Sequence, residues 1–282
     1  RKQMMTVHVN KERDPFYILA IETTGAEASV ALIDEKGIVF EERSEQRLNH
    51  LQNLMTMIDK LLTKCAVLIG DVTCIAVSEG PGSFTGIRIG VSSARALAQC
   101  LGIKTIGVPT LKTFAYAEEP PAKDILLCPI FDARRNQVYS AAYSWEGCRE
   151  DGSDQWAEKI PANAYELEEL LTCLEPYSAI RFFGDGIEVS KEKILAWVIQ
   201  CSKNGNPEKQ IEFAQGNARN QHAAPVAKLA YELYKQGRCK SFFDLKPVYL
   251  RKAEAQRKLE DSLRAKEEQE KAASKLDEDL TI

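Results

Sequence analysis

Residues 78–90 read Ser78-Glu79-Gly80-Pro81-Gly82-Ser83-Phe84-Thr85-Gly86-Ile87-Arg88-Ile89-Gly90, and no other stretch constrains the fold as tightly. An apolar run at 73–78 ends, glycines and a proline impose a turn, and a helical pattern begins that continues to about residue 101. Ser83 is placed to cap the helix. Free backbone N–H groups at such a start can hold an anion, which makes Gly80, Gly82, Ser83, Thr85, Gly86, Arg88 and Gly90 candidate site residues. The loop is no P-loop, because no Gly-Lys-Ser/Thr supplies a lysine for terminal phosphates. Glycines at 80, 82 and 86 also miss the dinucleotide-binding spacing.

Along the same helix, Gly82, Gly86, Gly90, Ala94 and Ala98 recur every fourth residue. Each step advances roughly 40°, so they form a slowly winding stripe of small side chains. Interior helical glycines cost about 1 kcal/mol each relative to alanine. Close packing of another element, or of a ligand, must offset that. The stripe runs well past the loop, which favours packing.

The flanking pattern is strand and helix in alternation. Residues 16–22 form an apolar run ending at Glu22, with Thr23, Thr24 and Gly25 as a turn; strands follow at 29–33 and 38–43. Leu48, Leu51, Leu54, Met55, Ile58, Leu61 and Leu62 recur at helical spacing, with Met57 set to one side. A strand at 103–108 closes this half, and a helix at 111–117, capped by Thr110, opens the second. The second half predicts strands at 125–131, 137–145 and 179–183, a polar loop at 146–156, helices at 165–174, 187–200 and 222–236, and an extended piece at 247–251. Both halves place a carboxylate at the end of the first strand, Glu22 and Asp132. That echo predicts a duplicated α/β fold with mixed sheets. The expected organisation is a leader at 1–15, lobes at 16–108 and 109–251, and a charged helical or disordered tail at 252–282.

Several classes are disfavoured. A formal net charge of −4 speaks against a free-standing nucleic-acid binder. No segment approaches the ~20 apolar residues of a membrane helix, and the start lacks a signal-like run, so the cytoplasm is expected. The eight cysteines form no CxxC, and most of them read as reduced, buried residues. His8, His50 and His222 show no metal-ligand spacing, and GxSxG is missing. That leaves Glu22 with Thr23 and Thr24, and Asp132 with Arg134, as possible catalytic or phosphate-holding turns. The plainer reading is that these residues only terminate strands.

Ile18-Leu-Ala-Ile-Glu-Thr-Thr, the 80–90 segment, Gly107-Val-Pro-Thr-Leu, Phe131-Asp-Ala-Arg-Arg-Asn-Gln-Val-Tyr and Pro247-Val-Tyr-Leu-Arg resemble, in that order, the TsaB family. The resemblance spans roughly residues 16–251. It implies an actin-like ATPase (ASKHA) fold and partnership with TsaD, the threonylcarbamoyl transferase that makes N6-threonylcarbamoyladenosine beside tRNA anticodons, with TsaE as third component. In TsaD two histidines spaced i,i+4 hold a metal; the matching places here are Thr110 and Phe114, and neither is a competent ligand. The expectation is a non-catalytic pseudo-enzyme that reaches tRNA only through the complex, with ATP and metal on the partner subunits and none in this chain. Leu51, Leu54, Met55 and Ile58 of the first helix, with Gly86, Gly90 and Ala94 of the second, are the expected partner surface. The same surface would serve a homodimer when TsaD is absent. The alternative is an actin-like ATPase or peptidase acting through Glu22 and Asp132.

Overall fold

The structure, a computed structural model, describes residues 15–44, 50–121, 124–203 and 208–251, with the side chains of 50–52 left out. The expected leader and charged tail, Leu48, His8, and the side chains of His50 and Leu51 lie outside the described residues.

The first sheet grows from β1 (Tyr17–Glu22), β2 (Ser29–Asp34) and β3 (Val39–Arg43), then β4 (Val72–Gly80) and β5 (Lys104–Pro109), in the order β3-β2-β1-β4-β5. β1 pairs antiparallel with β2 (Glu22 opposite Ser29) and parallel with β4 (Leu19 opposite Ile75). A central strand covered on both faces has no polar side, which is why β1 reads as an unbroken apolar run. One face, with Leu19, Ile21, Ile75 and Val77, packs beneath α1 (His50–Cys65) and α2 (Phe84–Leu101). In α1 the buried residues are Leu54, Met57, Ile58, Leu61 and Leu62, while Met55 is 48% exposed. Met57 rather than Met55 is therefore the core methionine: it sits three residues after Leu54 and four before Leu61 on the inner stripe.

The opposite face, with Ile18, Ala20, Cys74, Ala76 and Ile106, is covered by α5 (Ala223–Lys235) through Ala223, Val226, Ala227, Leu229 and Ala230. A strap then rounds the β5 edge. Thr105 and Lys240 exchange backbone hydrogen bonds of 2.9 and 2.8 Å, Leu245 enters the core on the far face, and the Val248 amide donates to the Glu79 carbonyl at 2.7 Å. Residues 222–248 thus complete the first lobe, and the expected lobe at 109–251 is corrected accordingly. The cause is tertiary: α5 matches the flat sheet face by its small side chains, which periodicity cannot report.

The second sheet comprises β6 (Ile125–Asp132), β7 (Gln137–Cys148), β8 (Asp154–Glu166), β9 (Ala179–Phe183) and β10 (Gln210–Phe213), ordered β10-β9-β6-β7-β8. β6 is antiparallel to β7 and parallel to β9, as β1 is to β2 and β4. Read from the other edge, the order repeats that of the first sheet. The chain has a duplicated two-lobed α/β architecture, with mixed sheets as expected. α3 (Leu167–Leu174) and α4 (Gly186–Lys203) cover one face.

Several expectations change in detail. Residues 146–156 are not a loop but the far end of the β7–β8 hairpin, with Trp145 opposite Trp156. Its polar residues alternate on solvated arms, which reads as loop in sequence. β8 runs through Glu166, so the helix expected from 165 begins at Leu167. Residues 111–116 form a 3-10 rather than an α-helix, and Thr110 gives it no side-chain cap. β10 was unforeseen, and 247–251 forms no strand. All eight cysteines are free thiols, but Cys100, Cys148 and Cys173 are exposed rather than buried.

Candidate functional site

Glu22, at the end of β1, is fully buried. The Ser78 hydroxyl donates to one carboxylate oxygen and the Thr24 amide to the other. Burial pushes the Glu22 carboxyl up, and those bonds, with the nearby His222, only partly oppose it. The next two residues lie on α2. Thr23 Oγ1 donates to the Gly86 carbonyl at 2.7 Å, and the Ser83 amide donates to the Thr24 carbonyl at 2.9 Å. Ser83 also caps α2, its hydroxyl accepting from the Gly86 amide at 3.3 Å.

This contact accounts for the glycine stripe. A Cβ on Gly82 would lie 2.7 Å from Thr24 Cβ, one on Gly86 would strike the Thr23 carbonyl, and one on Gly90 would meet Thr23 Oγ1. The helical cost of these glycines is offset by docking the β1–β2 turn directly on α2. An α2 start that serves its own chain in this way does not fit a phosphate: Thr23 and Thr24 fill the cradle, and Glu22 is enclosed behind them. Gly80 answers a different need. Its φ of +119° suits glycine, and a Cβ there would strike the Val248 carbonyl.

The corresponding turn of the second lobe is open. Asp132 is exposed; its carboxylate accepts from the Arg134 amide at 2.7 Å, and its own amide donates to Asp185 Oδ1 at 3.2 Å. Burial, with Asp132 close by, raises the Asp185 carboxyl. Arg134, Arg135 and Asn136 follow with φ of 62°, 55° and 62°, three successive left-handed residues.

Thr110 and Phe114, the positions where the resemblance leads one to expect a histidine pair in TsaD, are structural here. Thr110 is fully buried, and its hydroxyl accepts from the Gly80 amide at 3.2 Å. Phe114 is buried between Phe131 and Phe183, ring centroids 5.6 and 5.5 Å away. His222, at the start of α5, is engaged with Glu41 and Arg43, an association of β3 with α5 that sequence spacing could not reveal.

Of the residues expected to face a partner, Leu54, Ile58, Gly86, Gly90 and Ala94 are buried in the first lobe's own core, so their side chains present no surface in this chain. Met55 does. The outward ridge of α2 consists instead of Thr85, Arg88, Ser92 and Ala96, beside Phe84, which is 37% exposed and lies 4.0 Å under the Arg88 guanidinium. Sequence reading missed this ridge because both faces of α2 carry small residues at i,i+4 spacing, and the glycines drew attention to the inner one.

Comparison with known proteins agrees with the geometry. Residues 31–258 match the family model described as TsaD: tRNA N6-adenosine threonylcarbamoyltransferase. The tRNA threonylcarbamoyladenosine biosynthesis protein TsaB of Bacillus subtilis is 31% identical over 244 residues, 86% of this chain and 96% of that protein. TsaB of Escherichia coli is 27% identical, covering 86% and 97%. The solved structure of YeaZ from Pseudomonas aeruginosa superposes with a TM-score of 0.63 at 24% identity, over 83% of this chain and 99% of that one, a likeness of fold. With this similarity running almost the full length of those relatives, the chain belongs to the TsaB family, built on the domain pattern it shares with the TsaD transferases.

Proposed function

We propose that the chain is a non-catalytic subunit of the machinery that forms N6-threonylcarbamoyladenosine in tRNA, a scaffold that docks a TsaD-type transferase on the outward faces of α1 and α2. One observation carries this reading: the positions where chemistry would be sought are used up by the fold. Glu22 is sealed under its own turn, the α2 N-terminus holds Thr24, and Thr110 and Phe114 are core residues. Beyond Arg88, Ser92 and Ala96 of the α2 ridge are small enough to let a second helix approach closely there. TsaE joins the assembly, ATP and metal reside on the partner subunits, and tRNA is met only in the complex. The same ridge pairs two copies of this chain when the transferase is absent. The compartment is the cytoplasm, in keeping with described helices none of which is long and apolar enough to cross a membrane.

Sedimentation with purified TsaD tests the proposal. A complex should form at micromolar concentration, and Ser92→Leu or Ala96→Leu should weaken it about tenfold, some 1.4 kcal/mol, while the variants stay folded. Absence of a complex would end the scaffold reading. The competing reading, an ATPase or peptidase using Glu22 and Asp132, would gain if the chain alone turned over ATP or peptide and lost that activity on Asp132→Ala.

A further inference from the structure

The strap that rounds the β5 edge brings two thiols together. Cys74, on β4, is fully buried in the cluster beneath α5. Cys239, two residues beyond Gly237, is half-buried and packs against the same cluster. Strand alternation explains the meeting. Thr105 pairs with Ile75 on one side and with Lys240 on the other, so these three share one face of the sheet. Cys74 and Cys239 each stand one residue earlier and turn to the other face, toward α5. Their side chains lie within hydrogen-bonding reach of each other, with Tyr234 of α5 close to both. The scaffold reading makes no use of this pair.

The two cysteines differ in setting. Burial pushes the Cys74 thiol up, Cys239 adds to this, and Lys104 opposes it. Cys74 is thus a shielded, neutral thiol beside one that solvent reaches. It is also the fixed member, inside a central strand. Cys239 lies outside regular structure, between the left-handed Gly237 (φ 71°) and Lys240, whose backbone is tied to Thr105 at 2.9 and 2.8 Å. A disulfide asks for β-carbons about 3.5–4.5 Å apart, and the irregular backbone at Cys239 is the part able to adjust.

We propose that Cys74 and Cys239 form a redox latch: hydrogen peroxide joins them in an intramolecular disulfide that fastens the strap to β4, and small thiols release it. The accessible sulfur reacts first. Cys239 attacks one peroxide oxygen; an S–O bond forms, the O–O bond breaks, and the departing hydroxide takes the thiol proton as water, leaving a sulfenic acid. Cys74 then attacks the Cys239 sulfur; the S–S bond forms, the S–O bond breaks, and hydroxide leaves as water with the Cys74 proton. Two thiols and one peroxide give one disulfide and two waters. Because Cys74 is held neutral, the second step is slow, and the latch answers sustained rather than brief oxidation. Two small thiols reverse it by exchange and leave as their own disulfide. The cross-link closes a loop containing α2 and the whole second sheet. It pins the segment that carries Leu245 into the core and Val248 onto Glu79.

The test uses the full chain with the exposed Cys100, Cys148 and Cys173 changed to Ser. After treatment with hydrogen peroxide and blocking of the remaining thiols, mass spectrometry of a non-reducing digest should find Cys74 joined to Cys239 in the monomer, and dithiothreitol should undo the link. Oxidation should raise the melting temperature by about 5 °C or more. It should also slow hydrogen exchange at the Lys240 and Val248 amides at least about tenfold. Cys239→Ser, a change at a half-buried position, should show neither shift. Failure to find the linked pair in the folded monomer, a linked pair without slower exchange along the strap, or equal slowing in peroxide-treated Cys239→Ser would each overturn the proposal.

Discussion

The two lobes share a strand order and a carboxylate at the end of the first strand, yet the turns that follow have opposite characters. In the first lobe the turn folds inward, Glu22 is sealed, and the glycines of α2 exist to receive Thr23 and Thr24. In the second the turn faces solvent, with Asp132 exposed and three left-handed residues in a row. Duplication therefore preserves the hairpin without preserving what its turn does. A closed turn can position a helix; an open one is free to meet solvent.

Substitutions can break or sharpen this contrast. The largest effect belongs to Gly86→Leu. Its side chain has nowhere to go but into the Thr23 carbonyl, so urea unfolding should show a loss of about 3 kcal/mol or more. A stable variant would mean that the turn is not docked on α2.

Glu22→Gln should alter the pH dependence of stability. Burial raises the folded-state carboxyl above its unfolded value, so its favourable contribution is complete below the unfolded value and is lost as pH rises through the folded one. The Gln variant should lack that decline. Glu41 behaves in the opposite sense. Burial pushes it up, but the hydrogen bond and charge of His222, the Ala224 amide and Arg43 together outweigh burial and lower it. Its contribution is present above the unfolded value and disappears as pH falls through the folded one, so Glu41→Gln should flatten the acid limb. Thermal melts across pH 3–8, about the window these carboxyl groups span, read both slopes.

The open turn should respond weakly. Arg134→Gly relieves one left-handed residue and should stabilise by about 0.5 kcal/mol. Asp132→Asn should change stability by less than about 0.5 kcal/mol, because an exposed Asn can still accept from the Arg134 amide.

Much of the architecture was legible because buried strands and helix stripes leave a periodic trace: β1, β4, β6 and the inner face of α1 follow from it. What escaped did so for physical reasons. A carboxylate at a strand end leaves the same mark whether sealed like Glu22 or exposed like Asp132. The β7–β8 arms extend beyond the core, so their residues lack the one-sided apolar pattern that identifies a strand. The site was legible as a glycine loop, but its purpose was not, since the Thr23–Gly86 contact joins residues far apart in sequence. The burial of Gly86, Gly90 and Ala94 was not legible for a related reason: small residues permit close approach on whichever side they lie.

The return of α5 also bears on how the chain is made. On the ribosome the N-terminal half emerges first, but the face bearing Ile18, Ala20, Cys74 and Ile106 has no cover until the segment from Ala223 has been translated. Throughout synthesis of the second lobe, that greasy plane is open to nascent-chain chaperones and to misassociation with other chains. Truncation before α5 should therefore yield an aggregating fragment rather than a smaller soluble lobe, however complete its strands.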